Sequence, residues 1–310
     1  MKNRDIKQLL LVIFLLIGTA SQLLYSQKTI KILAIGNSFS QDAAESYLDD
    51  LAKANGVKLI VANMYIGGCP LDKHWDNASN NKAAYSYRKI TNGDTVAIEN
   101  QTLANAIKDE KWDYITFQQA SPLSGISSSF FPYLTQLIQY VKNLSANPKV
   151  KFALHQTWAY AANSTHTGFA NYNKDQNTMY NAIVNAFKDA STQTGINLII
   201  PSGTAIQNAR SSSIGDNLCR DGYHLSLGMG RYTAACTWYE KLTGKKVIGN
   251  SFVPRNMSKE EARIAQYAAH YAILKPNAVT SMINFNVTTT LFPDNSGLLV
   301  YLNSVEATTF

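Results

Sequence analysis

The chain has 310 residues, with 28 Lys and Arg against 21 Asp and Glu for a formal net charge of +7, and 45% of its residues are hydrophobic. That length and apolar content suffice for one large α/β domain with a full core, and the positive charge is spread without a basic run, which argues against nucleic-acid binding. Cys69, Cys219 and Cys236 stand in no Cys-x-x-Cys spacing, and no His-x-x-x-His occurs, so neither a zinc pattern nor a disulfide framework is present and no metal or other cofactor is expected.

Residues 1–26 begin with Lys2, Arg4 and Lys7 and continue with an apolar run over residues 9–17, then small and polar residues from Gly18. The run is too short to span a bilayer comfortably and reads as a secretory signal peptide, cleaved after Ala20 or Ser26. Export to the periplasm or beyond is expected, with no stable membrane anchor after cleavage and a remaining charge of +5. Export would permit a Cys69–Cys219 bond, whereas Cys236 lies in a stretch that reads as buried helix.

Residues 31–40, Lys-Ile-Leu-Ala-Ile-Gly-Asn-Ser-Phe-Ser, read as a strand, a sharp turn at Gly36 and a helix N-terminus, with Tyr47, Leu48 and Leu51 on one helical face. Ser38 would stand at the carboxyl end of a parallel strand, where open α/β sheets place their ligands. It is the candidate nucleophile, although Asn37 and Ser38 are also ordinary turn and N-cap residues. A second strand, residues 58–65, runs into Ile66-Gly67-Gly68-Cys69-Pro70, with His74 and Trp75 just beyond. Paired glycines let a backbone approach a ligand closely and offer N–H groups to an anion.

Residues 85–90 and 95–100 alternate around Asn92-Gly93 and read as a hairpin inserted in the parallel fold. A helix over residues 103–110 leads to a third strand, 113–119, ending in Gln118 and Gln119, two amides that are costly to bury unpaired. A helix over 131–144, a fourth strand over 150–154 running into His155 and on to Trp158 and Tyr160, an amphipathic helix over 174–194 ending at Gly195, and a fifth strand over 197–200 follow. Then come Asp221-Gly222-Tyr223-His224 and helices over 227–242 and 259–274. Beyond Pro276, residues 280–292 and 298–310 read as a terminal hairpin. The expected organisation is a signal peptide (1–26), one α/β domain (27–275) and a β-rich extension (276–310).

A hydrolytic serine needs a histidine base, and that base needs an orienting carboxylate. His224 and Asp221, three residues apart on one loop, supply both for Ser38. With Gly36-Asn37-Ser38-Phe39, the Gly67-Gly68 pair and Asp221-x-x-His224 in this order, residues 29–245 resemble the SGNH or GDSL hydrolase family, and the pattern looks most like a branch common in exported proteins of gut Bacteroidetes. The resemblance implies a three-layer, flavodoxin-like α/β/α sandwich with a parallel sheet of about five strands. It also implies an oxyanion hole made by the Ser38 N–H, a Gly67 or Gly68 N–H, and an amide.

Two departures stand out. Asn37 replaces the usual aspartate, and Phe117-Gln118-Gln119-Ala120-Ser121 replaces Gly-x-Asn-Asp, looking more like the Gln-Gly-Glu-Ser variant of sialate and acetylxylan esterases. Side chains alternate along a strand, so only one of Gln118 and Gln119 is expected in the cleft, and Gln118 is the preferred donor. The expected activity is removal of acetyl or similar acyl groups from a glycan or small ester, with His74, Trp75, Gln119, Trp158 and Tyr160 on the substrate side. The alternative is a glycan-binding protein that has lost catalysis, motivated by Asn37 and by the missing asparagine of the third block, Gly-x-Asn-Asp. An α/β-hydrolase lipase is disfavoured because Ser40 occupies the last glycine of Gly-x-Ser-x-Gly. Oligomeric state is left open.

Overall fold

The computed structural model describes residues 29–285 and the backbone of residues 288–293 and 299–304. The expected leader, residues 1–26, lies outside the described residues.

The frame is a seven-stranded sheet. In chain order its strands are β1 (Ile30–Gly36), β2 (Leu59–Tyr65), β3 (Tyr85–Thr91), β4 (Asp94–Gln101), β5 (Tyr114–Phe117), β6 (Lys151–His155) and β7 (Ile199–Ile200), arranged β4-β3-β2-β1-β5-β6-β7. β2, β1, β5, β6 and β7 are parallel, and the β3–β4 hairpin extends one edge in antiparallel fashion. The Asn92-Gly93 turn places both residues at positive φ, 57° and 97°, as a tight hairpin turn of this kind requires.

The helices are α1 (Ser38–Ala44), α2 (Leu48–Ala54), α3 (Leu71–Ser79), α4 (Leu103–Asp109), α5 (Tyr133–Leu144), α6 (Gln176–Thr194), α7 (Ser202–Arg210), α8 (Met229–Thr243) and α9 (Lys259–Leu274). α1, α2, α7 and α9 pack on or beside α8 on one face, and α3, α4 and α5 pack together on the other, giving three layers. Covered on both sides, β1 buries Ile32, Leu33, Ala34 and Ile35 in succession rather than alternately. α6 follows its expected apolar stripe, capped by Asp175, whose carboxylate accepts the Thr178 N–H, and closed by Gly195 at φ 73°.

The helix expected after β1 is two short helices: the chain bends at Glu45-Ser46-Tyr47, and the apolar period survives because α1 and α2 both face the core. α3 and α7 extend the sequence-based reading, and the fifth strand shortens to two residues. Thr288–Pro293 and Leu299–Ser304 pair as an antiparallel two-stranded sheet.

Parallel order β2-β1-β5-β6-β7 reverses direction between β1 and β5, and such a switch point opens a crevice at the carboxyl ends of the strands. Register brings the strand ends level there: Gly36 lies beside Tyr65, Ile35 beside Phe117, Phe117 beside Leu154, and His155 beside Ile200. The residues that follow these ends build the site.

Candidate active site

Gly36 lets the chain turn tightly. A Cβ there would lie 2.4 Å from Ser40 Oγ and 3.0 Å from Gln118 Cδ. Ser40 is itself held, its hydroxyl 2.8 Å from the Asn37 carbonyl and 2.9 Å from Asn63 Oδ1, so only glycine fits without a shift. The turn delivers Ser38 as the first residue of α1, half-buried, with Asn37 as N-cap accepting the Phe39 N–H.

Ser38 Oγ lies 2.9 Å from His224 Nε2, and His224 Nδ1 lies 2.7 Å from Asp221 Oδ2. A carboxylate can only accept, so Nδ1 carries the imidazole proton and Nε2 is the acceptor facing the serine hydroxyl. Burial alone would raise the Asp221 carboxyl. The His224 side chain and the backbone N–H groups of His224 and Tyr223 outweigh it and hold the carboxyl below its ordinary value.

The loop carrying this pair is tied to α1 by Asp42, whose side chain is fully buried. Its carboxylate accepts the Leu225 N–H at 2.8 Å, Arg220 Nη1 at 3.1 Å and Arg231 Nη2 at 2.7 Å. From the other side, Phe39 stacks on Trp158 at 4.3 Å, the Trp158 indole N–H donates to the Tyr223 carbonyl at 2.8 Å, and the Tyr223 ring lies 4.1 Å from that of His224. The imidazole is thereby held by packing as well as by its carboxylate.

Ser38 and His224 open on a cleft of about 350 Å³, together with Gly67, Gly68, Tyr65, Ser121, Pro122, His166 and Tyr223. Among the described residues, no lysine, arginine, aspartate or glutamate lines it. Gly68 adopts φ 64°, a left-handed conformation that favours glycine, and the carbonyl of Cys69 after it lies 3.1 Å from Asn37 Nδ2. Among the described residues, no acceptor within the chain takes the N–H of Ser38, Gly67 or Gly68. His166 Nδ1 accepts the Gly168 N–H at 3.0 Å, leaving its proton on Nε2; burial, and then the nearby His224, hold this ring below the usual histidine value.

Of the residues expected on the substrate side, the structure removes all five from the cleft lining. Trp158 and Tyr160 are fully buried, the former in the stack described above and the latter bonded through its hydroxyl to Ser121 at 2.8 Å. His74 is fully buried on α3, stacked on Tyr85 and 3.0 Å from its hydroxyl, and burial pushes its pKa down to about 3. Trp75 packs edge-on against Tyr140. Gln119 accepts the N–H of Leu71, the first residue of α3, and donates to Ser129.

Gln118 is also not an available oxyanion donor. It is 2% exposed, its Nε2 donates to Asn37 Oδ1 at 2.7 Å, and its Oε1 lies 2.7 Å from His155 Nδ1. β5 ends at Phe117, so both glutamines lie past the strand expected to carry them, and each enters its own buried network. The Cys69–Cys219 bond is absent: all three cysteines are free, Cys69 turned to the Pro70 carbonyl and Cys219 to Arg210, with burial raising their thiols to about 12 and 11. Asp42, Tyr65, His155, His166 and Tyr223 were not singled out from the sequence. Asp42 could have been, as an acidic residue on the buried side of a short helix.

The profile of a family described as "Domain of unknown function (DUF4886)" matches residues 31–272. A solved DUF4886 family protein from Bacteroides uniformis ATCC 8492 is 52% identical, covers 82% of this chain and 98% of that one, and superposes with a TM-score of 0.81. A candidate SGNH hydrolase from Slackia heliotrinireducens (19% identity, 69% and 99% coverage, TM-score 0.48) also matches. So does a catalytic mutant of an acetylxylan esterase from Geobacillus stearothermophilus (13%, 74% and 100%, TM-score 0.43). No curated protein matches this chain.

Proposed function

The chain belongs to the DUF4886 family, and on that premise we propose that it is a serine esterase that removes acetyl or similar acyl groups from a carbohydrate. The observation that carries this reading is the hydrogen-bonded series Ser38 Oγ, His224 Nε2, His224 Nδ1, Asp221 Oδ2 at the carboxyl edge of the sheet, beside backbone N–H groups with no acceptor among the described residues.

His224 Nε2 takes the hydroxyl proton as Ser38 Oγ bonds to the ester carbonyl carbon, and the carbonyl electron pair moves onto oxygen. The Ser38 N–H and a Gly67 or Gly68 N–H receive that oxyanion, each donor being worth about 3 kcal/mol in such sites. As the tetrahedral carbon collapses, the carbon–oxygen bond to the sugar breaks and His224 returns the proton to the departing alkoxide. Water then repeats the sequence on the acyl-serine, releasing the carboxylic acid and restoring Ser38. Asp221 keeps the imidazole in the tautomer that can accept.

The cleft lining supports an uncharged acyl group and a polyhydroxylated leaving group: no ionic side chain stands in it, Tyr65 and Tyr223 offer ring faces, and His166 Nε2 offers a neutral donor. Asn37, one of the two reasons for considering a non-catalytic scaffold, serves here as the N-cap of α1; the other, the missing third-block asparagine, is not made good by Gln118, and the backbone N–H groups carry the oxyanion in this reading. A fluorophosphonate probe followed by peptide mass spectrometry tests the reading. A single adduct on Ser38 is expected, and failure of the folded protein to react, or reaction elsewhere, contradicts it.

A further inference from the structure

A chain of buried polar groups runs along the carboxyl edge of the sheet and ends at the serine turn. Ser202 Oγ lies 3.1 Å from His155 Nε2, His155 Nδ1 2.7 Å from Gln118 Oε1, Gln118 Nε2 2.7 Å from Asn37 Oδ1, and Asn37 Nδ2 3.1 Å from the Cys69 carbonyl. None of the four side-chain donors is more than 2% exposed. Ser202, Gln118, Asn37 and Cys69 follow β7, β5, β1 and β2, and His155 is the last residue of β6, so the end of every parallel strand contributes one.

The direction of each hydrogen bond follows from its ends. The Cys69 carbonyl can only accept, so Asn37 must present Nδ2 to it. The Phe39 N–H can only donate, so Asn37 must present Oδ1 there, 3.0 Å away. Gln118 must then offer Nε2 to that oxygen, which turns its Oε1 to His155 and requires the proton on His155 Nδ1. Burial keeps this ring neutral, with a pKa near 3, so Nε2 accepts the Ser202 hydroxyl. No link can reverse without leaving a buried group unpaired.

We infer that Asn37 is a positioning residue that sets the spacing between the two sources of oxyanion N–H groups, the start of α1 and the Gly67-Gly68 turn, and that Gln118, His155 and Ser202 hold its amide in the one orientation that does so. The inference rests on the esterase reading. One planar amide caps α1 with its oxygen and grips the carbonyl directly after Gly68 with its nitrogen. An aspartate would keep both contacts of the oxygen but set its second oxygen against the Cys69 carbonyl, two acceptors at hydrogen-bond distance. Asparagine is therefore what this turn requires, and the glutamine expected to contact the oxyanion acts one step behind it.

The test compares Asn37→Asp with the unmodified chain and with Ser38→Ala, measuring kcat and KM on 4-nitrophenyl acetate across about pH 5 to 9. At the alkaline end the Asn37→Asp kcat is expected to fall about a hundredfold with KM nearly unchanged, as for loss of one transition-state donor. The deficit shrinks as pH falls, because the introduced carboxyl, once protonated, regains an O–H donor for the Cys69 carbonyl. Cys69 and His155, near 12 and 3, titrate outside this window. Gln118→Glu, which removes the donor to Asn37 Oδ1, reads the same link if Asn37→Asp does not fold.

An Asn37→Asp variant equal to the unmodified chain, or a loss whose ratio is flat with pH, overturns the inference while a Ser38-dependent activity leaves the esterase reading standing. Activity that survives Ser38→Ala overturns both.

Discussion

Asp42 shows how much of the site depends on a residue outside the cleft. Its buried carboxylate is the shared acceptor of Arg220, Arg231 and the Leu225 N–H, so it joins the nucleophile's helix to the loop bearing Asp221 and His224. Removing the charge of a buried carboxylate leaves its N–H and guanidinium partners without their shared acceptor, a loss softened by the partial exposure of both arginines. Asp42→Asn should therefore lower the urea midpoint clearly, and kcat with it. Ser38→Ala should leave the midpoint nearly unmoved, because a half-buried turn hydroxyl contributes little to folding. Equal midpoints for Asp42→Asn and the unmodified chain would remove Asp42 from this role. The same scale explains why the sequence misplaces Gln118. An amide at a strand's end looks available from sequence, yet its partners Asn37 and His155 lie 81 and 37 positions away and become visible only when the sheet assembles.

Elements that carry their own period or their own caps were readable from the chain alone. α6 has an apolar stripe, an aspartate cap and a closing glycine, the β3–β4 hairpin has its Asn-Gly turn, and β1 has an unbroken apolar run ending at a glycine. α3 and α7 escaped for physical reasons. α3 starts at Pro70 with no side-chain cap of its own, and its first N–H is satisfied by Gln119 from another segment. α7 is buried at all nine positions, so it shows no polar face to set against an apolar one. Within the site, Ser38, His224 and Asp221 were readable because two of them share a short loop and the third follows a strand-glycine turn. His166 and Tyr223 were not, since a lining residue is defined by which loops meet and by no local pattern.

Across the whole molecule, the parallel order with its reversal between β1 and β5 gathers five strand ends around one crevice, and the buried histidines that help to hold that edge make stability depend on pH. Burial lowers His74 and His155 from the ordinary 6.5 to about 3. Below 6.5 the unfolded chain binds protons that the folded chain refuses at these two histidines, so their contribution to stability is level above about pH 7. It then falls by up to about 1.4 kcal/mol per pH unit for each histidine as pH drops toward 3. Urea midpoints should accordingly be lower at pH 5 than at pH 8, and a midpoint unchanged or higher at pH 5 would contradict this burial.

The central claim is that the edge gathered in this way makes Ser38 a nucleophile toward acyl sugars. It is tested most directly by acetate release from a panel of acetylated oligosaccharides, measured for the unmodified chain, Ser38→Ala and His224→Ala. Release by the unmodified chain and a loss of at least about a thousandfold in both variants is the predicted result. Near-native release by either variant, or none from any member of the panel by the unmodified chain, would contradict it.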